Sequence, residues 1–150
     1  MSKVVSAGTA DVPYKFHQSE AKDYIHQLFS HSREDIERLI NVFDNSTIEV
    51  RHFTLPKEWF GEEHSFKERN EAYIENACRL SKGAALSCLE KIGAGLSDFD
   101  HIIFVSSTGI STPSIDAVLI NELKLDAHIR RTPIWGLGCV GGAVGLSRAF

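Results

Sequence analysis

An unbroken apolar run at residues 102–105, Ile-Ile-Phe-Val, constrains the fold of this chain more than any other feature. A strand with one face in solvent alternates apolar and polar side chains, whereas a strand buried on both faces is apolar throughout. Strands of the second kind belong to parallel sheets that helices cover on both sides. A helical pattern, a second strand at residues 132–137 and another helical pattern follow the run. This order predicts an α/β fold with a mostly parallel central sheet and helices on both faces.

Two of the earlier helices carry start signals. Ser65 with Glu68 has the form of a capping box, in which a serine and a carboxylate close the first turn of a helix. Ser32 with Asp35 has the aspartate form of the same box, and apolar residues follow it at helical spacing. The predicted elements before residue 100 are strands at residues 4–7 and 48–52 and helices at residues 19–29, 33–44 and 65–92.

Polar residues follow the first apolar run directly. Ser107 and Thr108 come at its C-terminal end, and functional groups in parallel sheets gather at the carboxyl ends of strands. Thr112 is predicted to cap the next helix, with Pro113 at the first helical position. Because the second strand leads into Cys139, we expect Ser107, Thr108 and Cys139 to lie at the same edge of the sheet.

Cys139 lies on a glycine-flanked turn in the stretch Trp-Gly-Leu-Gly-Cys-Val-Gly-Gly, residues 135–142. Glycine lets the backbone bend sharply and approach a neighbour closely. A cysteine where a helix begins faces the positive end of the helix dipole, which favours the nucleophilic thiolate. The position therefore predicts Cys139 as a nucleophile, and Trp135 is predicted to pack in the core.

The same stretch admits two other interpretations. Gly136, Gly138 and Gly141 spell the G-x-G-x-x-G pattern of dinucleotide-binding turns. That pattern normally follows the first strand of its domain, and its acidic residue comes about 20 positions later, which is past Phe150. The other interpretation is a tight strand-to-helix turn with a buried cysteine. The local residues favour the nucleophile first, the structural turn second and the dinucleotide site third.

Charge and cysteine content exclude several kinds of partner. The net charge is −4 and no basic block occurs, so nucleic acid and anionic membranes are not expected as partners. No apolar stretch predicts a signal peptide or a membrane span. Three cysteines without C-x-x-C spacing argue against a disulfide framework or a metal site and indicate the reducing cytoplasm. Cys78 and Cys88 lie on the predicted long helix and are expected to be unreactive.

Two long motifs resemble those of type III polyketide synthases, the group that includes chalcone synthases, and most closely its bacterial alkylpyrone branch. The motifs are Phe-Val-Ser-Ser-Thr-Gly-Ile-Ser-Thr-Pro-Ser at residues 104–114 and Pro-Ile-Trp-Gly-Leu-Gly-Cys-Val-Gly-Gly at residues 133–142. Residues 50–53 and 63–70 fit the same pattern, so the resemblance spans nearly the whole chain. It implies that residues 1–150 form the N-terminal half of a thiolase-like fold, whose full-length members pair as homodimers.

The resemblance also implies a reaction. Cys139 would accept an acyl group from an acyl-CoA thioester for decarboxylative condensation with malonyl-CoA, so both thioesters would be substrates and no further cofactor or metal is implied. Ser107, Thr108 and Thr112 would line or support the substrate cavity. Arg51 falls near a basic residue that helps to hold the phosphates of coenzyme A in plant members.

Two departures from the family pattern bear on activity. Glu49 occupies the position of a lysine that neighbours the phosphate-binding residue in plant members. The catalytic histidine and asparagine of the family belong to the second half, and none of the seven histidines here lies at a matching position. The 150 residues alone are therefore expected to be inactive in condensation.

The uncapped apolar pattern at residues 144–150 suggests that the sequence continues elsewhere. An alternative interpretation is accordingly a non-catalytic fragment that pairs with a separate second half or with a homologue. A dinucleotide-binding domain is a weaker alternative, and a cysteine hydrolase weaker still, because no histidine lies in a motif that would support it.

Overall fold

The computed structural model describes residues 2–29 and 36–150, with the side chains of residues 36–39 left out. The capping box predicted at Ser32 and Asp35 lies outside the described residues. The chain divides into two compact units, a smaller one at Val12–Glu63 and a larger one made of Met1–Asp11 and His64–Phe150.

The smaller unit combines two helices with a two-stranded sheet. Its elements are β1 (Tyr14–His17), α1 (Gln18–Leu28), α2 (Ile36–Asn45) and β2 (Val50–Phe53), followed by a 3-10 turn at Lys57–Gly61. β1 and β2 are antiparallel, with Tyr14 opposite Phe53 and His17 opposite Val50. Both predicted helices are confirmed within the described residues. The predicted strand begins two residues later than expected, because its register is set by pairing with β1.

The larger unit contains the predicted strand–helix–strand–helix order. Its elements are α3 (Phe66–Glu90), β3 (His101–Ser106), α4 (Ile115–Leu123), β4 (Arg130–Trp135) and α5 (Gly141–Ala149), with 3-10 turns at Leu96–Asp98 and Gly138–Val140. β3 and β4 are parallel, with His101 opposite Arg130 and Ser106 opposite Trp135. The parallel pairing predicted from the apolar run is therefore confirmed.

Alternate residues of β3 pack against helices on opposite faces of the sheet. Ile102 and Phe104 pack against a buried cluster on α3 and α4. Ile103 and Val105 face α5, where Gly145 lies against both side chains. Helices thus cover both faces, as the apolar run predicted. The buried members of the cluster are Cys78, Ile115, Leu119 and Leu123.

α3 begins at the predicted capping box. The Ser65 hydroxyl accepts a hydrogen bond from the Glu68 backbone N–H at 3.2 Å, and the Glu68 carboxylate accepts the Ser65 backbone N–H at 2.7 Å. These bonds from Ser65 stabilise the ionised carboxylate and lower the pKa of Glu68. α3 is 25 residues long, yet no helix within the described ranges is long and apolar enough to cross a membrane.

The predicted start of α4 is wrong by two residues. Ser114, not Thr112, is the N-cap residue, and the first helical residue is Ile115 rather than Pro113. The Ser114 carbonyl accepts the backbone N–H groups of Ala117 and Val118, so the helical hydrogen bonds begin there. Thr112 and Pro113 belong instead to the turn that precedes the helix.

The strand predicted at residues 4–7 is also absent from the structure. This segment lies along α3, where the Ser6 hydroxyl donates to the Cys88 carbonyl at 3.0 Å and Lys91 Nζ donates to the Ala7 carbonyl at 2.7 Å. Val4 and Val5 are 71% and 77% exposed. A β-strand needs a neighbouring strand to satisfy its backbone, and the neighbour that this segment meets is a helix.

Candidate active site

The carboxyl ends of β3 and β4 lie side by side in the larger unit. Ser106 is opposite Trp135, and the Gly136 backbone N–H donates to the Ser106 carbonyl at 3.0 Å. Ser107 and Thr108 follow β3 and are exposed. The loop after β3 and the turn after β4 therefore start from one edge of the sheet, as predicted.

Cys139 lies in the one-turn 3-10 helix, Gly138–Val140, that leads directly into α5. Its side chain is exposed. Gly136 has a φ of +80° and Gly138 a φ of +53°, a region that residues with a Cβ adopt at a cost. The two glycines thus make the turn that brings an accessible thiol to the start of a helix.

The first turn of α5 rests directly on the sheet. A Cβ on Gly141 would lie 2.7 Å from Val105 Cγ1, and one on Gly145 would lie 2.9 Å from Val105 Cγ2. Gly142, on the other side, has open space around it. The G-x-G-x-x-G spacing therefore has a structural reason at each glycine: two positive φ values and one close contact with the sheet.

The loop after β3 is held against α3. The Tyr73 hydroxyl and the Ser106 hydroxyl are 2.5 Å apart and share a hydrogen bond. The Tyr73 ring also fills the space where a Cβ on Gly109 would lie. Tyr73 thus packs against the buried cluster of α3 and α4 and at the same time lies under this loop.

Two further side chains bind the backbone of the loop. Trp135 Nε1 donates to the Gly109 carbonyl at 2.8 Å. Asn70 accepts the Ile110 backbone N–H at 2.9 Å and donates to the Ile110 carbonyl at 2.8 Å. The expectation that Trp135 packs in the core is wrong, since it is 60% exposed. No signal in the sequence singled out Asn70, apart from its place in the motif at residues 63–70.

A cavity of about 330 Å³ lies behind the loop. Its walls are mainly apolar, with Phe104, Ile115 and Ile134 among them. Ser107, Thr108 and Thr112 are not lining residues of this cavity; they are exposed, and within the described part of the chain their hydroxyls have no hydrogen-bond partner. These hydroxyls therefore face solvent.

Arg51 belongs to β2 of the smaller unit. Its Nε donates to Gln18 Oε1 at 2.7 Å, and its guanidinium lies 5.2 Å from the centre of the Phe43 ring. Arg51 lines a cavity of about 820 Å³ that also contains Lys15 and Lys57. Glu20 and Asp23 line it as well, so three basic and two acidic side chains share one concave surface with several aromatic rings.

The other two cysteines differ from Cys139 in exposure. Cys78 is 8% exposed within the core cluster, and burial, together with the negative charge of Glu122, raises the pKa of its thiol. Cys88 is half-buried on α3. Across the described ranges, Cys139 is the exposed cysteine, and no group of three His, Cys, Asp or Glu side chains could hold a metal ion.

The sequence did not predict an ion pair between a buried carboxylate and an exposed guanidinium. Asp116 is fully buried at the start of α4, and its Oδ2 accepts a hydrogen bond from Arg131 Nε at 2.7 Å. Arg131 Nη2 donates to the Ser114 hydroxyl at 3.0 Å. The pair fastens the start of α4 to the second residue of β4, at the opposite end of that strand from Cys139.

Comparisons with known proteins place these features in a family. The sequence matches the family model "Chalcone and stilbene synthases, N-terminal domain" over residues 1–150. A Bacillus subtilis (strain 168) protein named "Putative chalcone synthase" is 43% identical over 154 residues, covering 99% of this chain and 42% of the relative. 1,3,6,8-Tetrahydroxynaphthalene synthase from Streptomyces peucetius subsp. caesius is 31% identical over 147 residues, covering 98% of this chain and 39% of the relative.

A solved structure shows the same fold. The crystal structure of 1,3,6,8-tetrahydroxynaphthalene synthase from Streptomyces coelicolor A3(2), a bacterial type III polyketide synthase, matches with a TM-score of 0.87 and 26% identity. The match covers 99% of this chain and 42% of that one. The chain thus spans about two fifths of the length of the proteins that it resembles.

Proposed function

This chain belongs to the chalcone and stilbene synthase family as its N-terminal domain, and we propose that it supplies the acyl-accepting cysteine of such an enzyme. Bacterial type III polyketide synthases are among its homologues. The predicted N-terminal half of a thiolase-like fold is confirmed by the structural match. One observation carries the proposal: the Cys139 thiol is exposed at the carboxyl edge of a parallel sheet, where a helix begins.

The proposed reaction is transfer of an acyl group from coenzyme A to Cys139. The thiolate attacks the thioester carbonyl, and the tetrahedral intermediate collapses when the bond to the coenzyme A sulfur breaks. Coenzyme A leaves as a thiolate and takes a proton from solvent, while the acyl group stays on Sγ. One thioester replaces another, so the exchange is nearly balanced in energy, and a difficult condensation is divided into two easier steps.

The backbone around Cys139 supports this step. The first N–H groups of a helix lack partners within the helix, and the helix dipole adds partial positive charge there. The N–H groups at the start of the 3-10 turn, including that of Cys139, are suited to stabilise the oxyanion of the tetrahedral intermediate, whereas those of Val140 and Gly141 already donate to the Leu137 and Gly138 carbonyls. In hydrolases each donor of this kind contributes about 2.7–4 kcal/mol.

The remaining predicted residues receive roles in substrate binding. The free hydroxyls of Ser107, Thr108 and Thr112 would form part of the wall that meets the acyl group. Arg51 would contribute positive charge for the phosphates of coenzyme A. Lys15 and Lys57 in the same cavity add to that charge, and Glu20 and Asp23 there offset part of it. Glu49 does not offer that charge.

Condensation with malonyl-CoA would need groups beyond these residues. In the family the decarboxylation step depends on a histidine and an asparagine of the second half, and the positions matched here do not include them. We therefore propose that the 150 residues accept an acyl group but do not extend it, and that the whole enzyme works as a homodimer. The exposed free thiol is suited to the reducing cytoplasm.

Incubation with hexanoyl-CoA tests the proposal directly. Intact-mass spectrometry should show one hexanoyl group per chain, removed by neutral hydroxylamine as a thioester, and peptide mapping should place it on Cys139. Adding malonyl-CoA should release no carbon dioxide above the buffer rate. The Cys88→Ala variant should be acylated like the wild type, whereas acyl groups found mainly on Cys78 or Cys88 would refute the assignment.

Alkylation by iodoacetamide at pH 7 should modify Cys139 faster than Cys78 or Cys88. Burial and Glu122 raise the pKa of Cys78, so its thiolate forms at a higher pH than that of an ordinary thiol. The alkylation rate of Cys78 should therefore still increase with pH in the range where the rate for an ordinary thiol no longer does. Mass spectrometry of each cysteine peptide between pH 6 and about pH 10 measures both effects. Equal rates for the three cysteines would speak against an accessible active-site thiol.

A further inference from the structure

The peptide group between Gly109 and Ile110 is fixed from both sides. Its carbonyl oxygen accepts the Trp135 indole N–H at 2.8 Å, and its N–H donates to Asn70 Oδ1 at 2.9 Å. The Asn70 amide nitrogen also donates to the next carbonyl, that of Ile110, at 2.8 Å. One side chain therefore satisfies a donor and an acceptor of the loop, as a neighbouring strand would.

The two anchors come from different parts of the fold. Asn70 lies near the start of α3, whereas Trp135 is the last residue of β4, four positions before Cys139. Tyr73 blocks movement of the loop towards α3, because its ring is packed against Gly109. The loop is thus held between the start of α3 and the end of β4.

Burial does not explain these two side chains. Trp135 is 60% exposed, so more than half of its surface stays in water, while its polar N–H donates to the loop at 2.8 Å. Asn70 directs both polar atoms of its amide to the backbone of the loop rather than to its own helix. Both residues therefore serve the shape of the loop more than the stability of the core.

We propose that Asn70 and Trp135 are positioning residues for acyl transfer to Cys139. By fixing the Gly109–Ile110 peptide they keep Ser107 and Thr108 at a constant place beside the turn of Cys139, so that an incoming thioester meets a wall of constant shape. Small errors in the orientation of reacting groups cost large factors in rate. The inference rests on the proposed function, since it assigns these residues to the same reaction.

Hydrogen exchange measured by NMR tests the anchoring without any substrate. In Asn70→Ala the Ile110 amide should exchange about five- to tenfold faster, the factor expected for one lost hydrogen bond. In Trp135→Phe, which keeps an aromatic ring but lacks the N–H, the same amide should also lose protection. Asn76→Ala is the matched control, because Asn76 lies on the same helix and its amide bonds, among the residues that the structure describes, are to Ala72 and Arg79.

Kinetics of acyl transfer test the positioning. In Asn70→Ala and Trp135→Phe the maximal rate of hexanoyl transfer to Cys139 should fall about tenfold, with a smaller loss in Asn70→Asp, which keeps the acceptor oxygen. Alkylation of Cys139 by iodoacetamide should stay within about twofold of wild type, since a small reagent needs only an exposed thiol. Asn76→Ala should match the wild type in both assays.

The outcomes separate this inference from the proposed function. If the wild-type chain is acylated and the Asn70→Ala and Trp135→Phe variants are acylated at the same rate, the inference is wrong and the proposed function stands. An equal slowing in Asn76→Ala, or an Ile110 amide without protection in the wild type, also overturns it. A wild-type chain that takes up no acyl group contradicts the proposed function, and with it the purpose assigned to the anchors, whatever the exchange data show.

Discussion

Replacing Cys139 with serine should abolish acyl transfer from acyl-CoA to the protein while leaving the fold unchanged. A serine hydroxyl is far less ionised than a thiol at neutral pH and is correspondingly a weak nucleophile without an adjacent base. We expect the acylation rate to fall by more than about 10³-fold. Because the Cys139 side chain is exposed, the midpoint of thermal unfolding should not move measurably.

Intact-mass spectrometry after incubation with hexanoyl-CoA measures this loss, and circular dichroism measures the fold. Cys88→Ala serves as the control, because it removes a thiol from the same unit without touching the turn of Cys139. Acylation of Cys139→Ser at the wild-type rate would show that another group accepts the acyl chain. The mechanism proposed for Cys139 would then be abandoned.

Gly109→Ala should strongly destabilise the larger unit. Gly109 is buried, and its new Cβ would lie within the Tyr73 ring, so either the ring or the loop must move. Overpacking of this kind costs about 1–3 kcal/mol, and occasionally more. The measurement is the free energy of unfolding in urea, and the hexanoyl-transfer rate should fall as well, because the loop beside Cys139 is displaced.

Gly142→Ala is the matched control, since Gly142 has open space around it and lies in α5. That change should stabilise the chain by about 0.5–1 kcal/mol, because alanine favours helix over glycine. Combining Gly109→Ala with Tyr73→Val should cost less than the sum of the two single changes. Fully additive losses would mean that the steric clash with Tyr73 is not what destabilises Gly109→Ala.

Much of the larger unit could be predicted because its signals are local. Four consecutive apolar residues predicted the parallel pairing of β3 and its cover of helices on both faces, and Ser65 with Glu68 predicted the start of α3. The start of α4 could not be predicted, because Thr112 and Ser114 are both good caps within the same three residues. Only the backbone bonds to the Ser114 carbonyl distinguish them.

In the candidate site, too, features set by neighbouring residues could be predicted, whereas contacts between residues far apart in the sequence could not. Cys139 and its glycines form one short segment, so the strand-to-helix turn was readable from the sequence. Trp135 was misjudged because an aromatic residue beside an apolar strand usually packs inside, and its true partner, the Gly109 carbonyl, is 26 positions away. Asn70 bonds to backbone atoms 40 positions away, a contact that leaves no pattern in the side chains.

Because the Cys139 thiol is exposed, we expect oxidants to react with it before they react with the buried Cys78. Peroxide converts exposed thiolates to sulfenic acid, which condenses with a second thiol to form a disulfide or oxidises further and irreversibly. Cys78, enclosed in the core, is shielded from both fates. A preparation aged in air would therefore lose the proposed acyl acceptor first, while its fold, judged by spectroscopy, stayed intact.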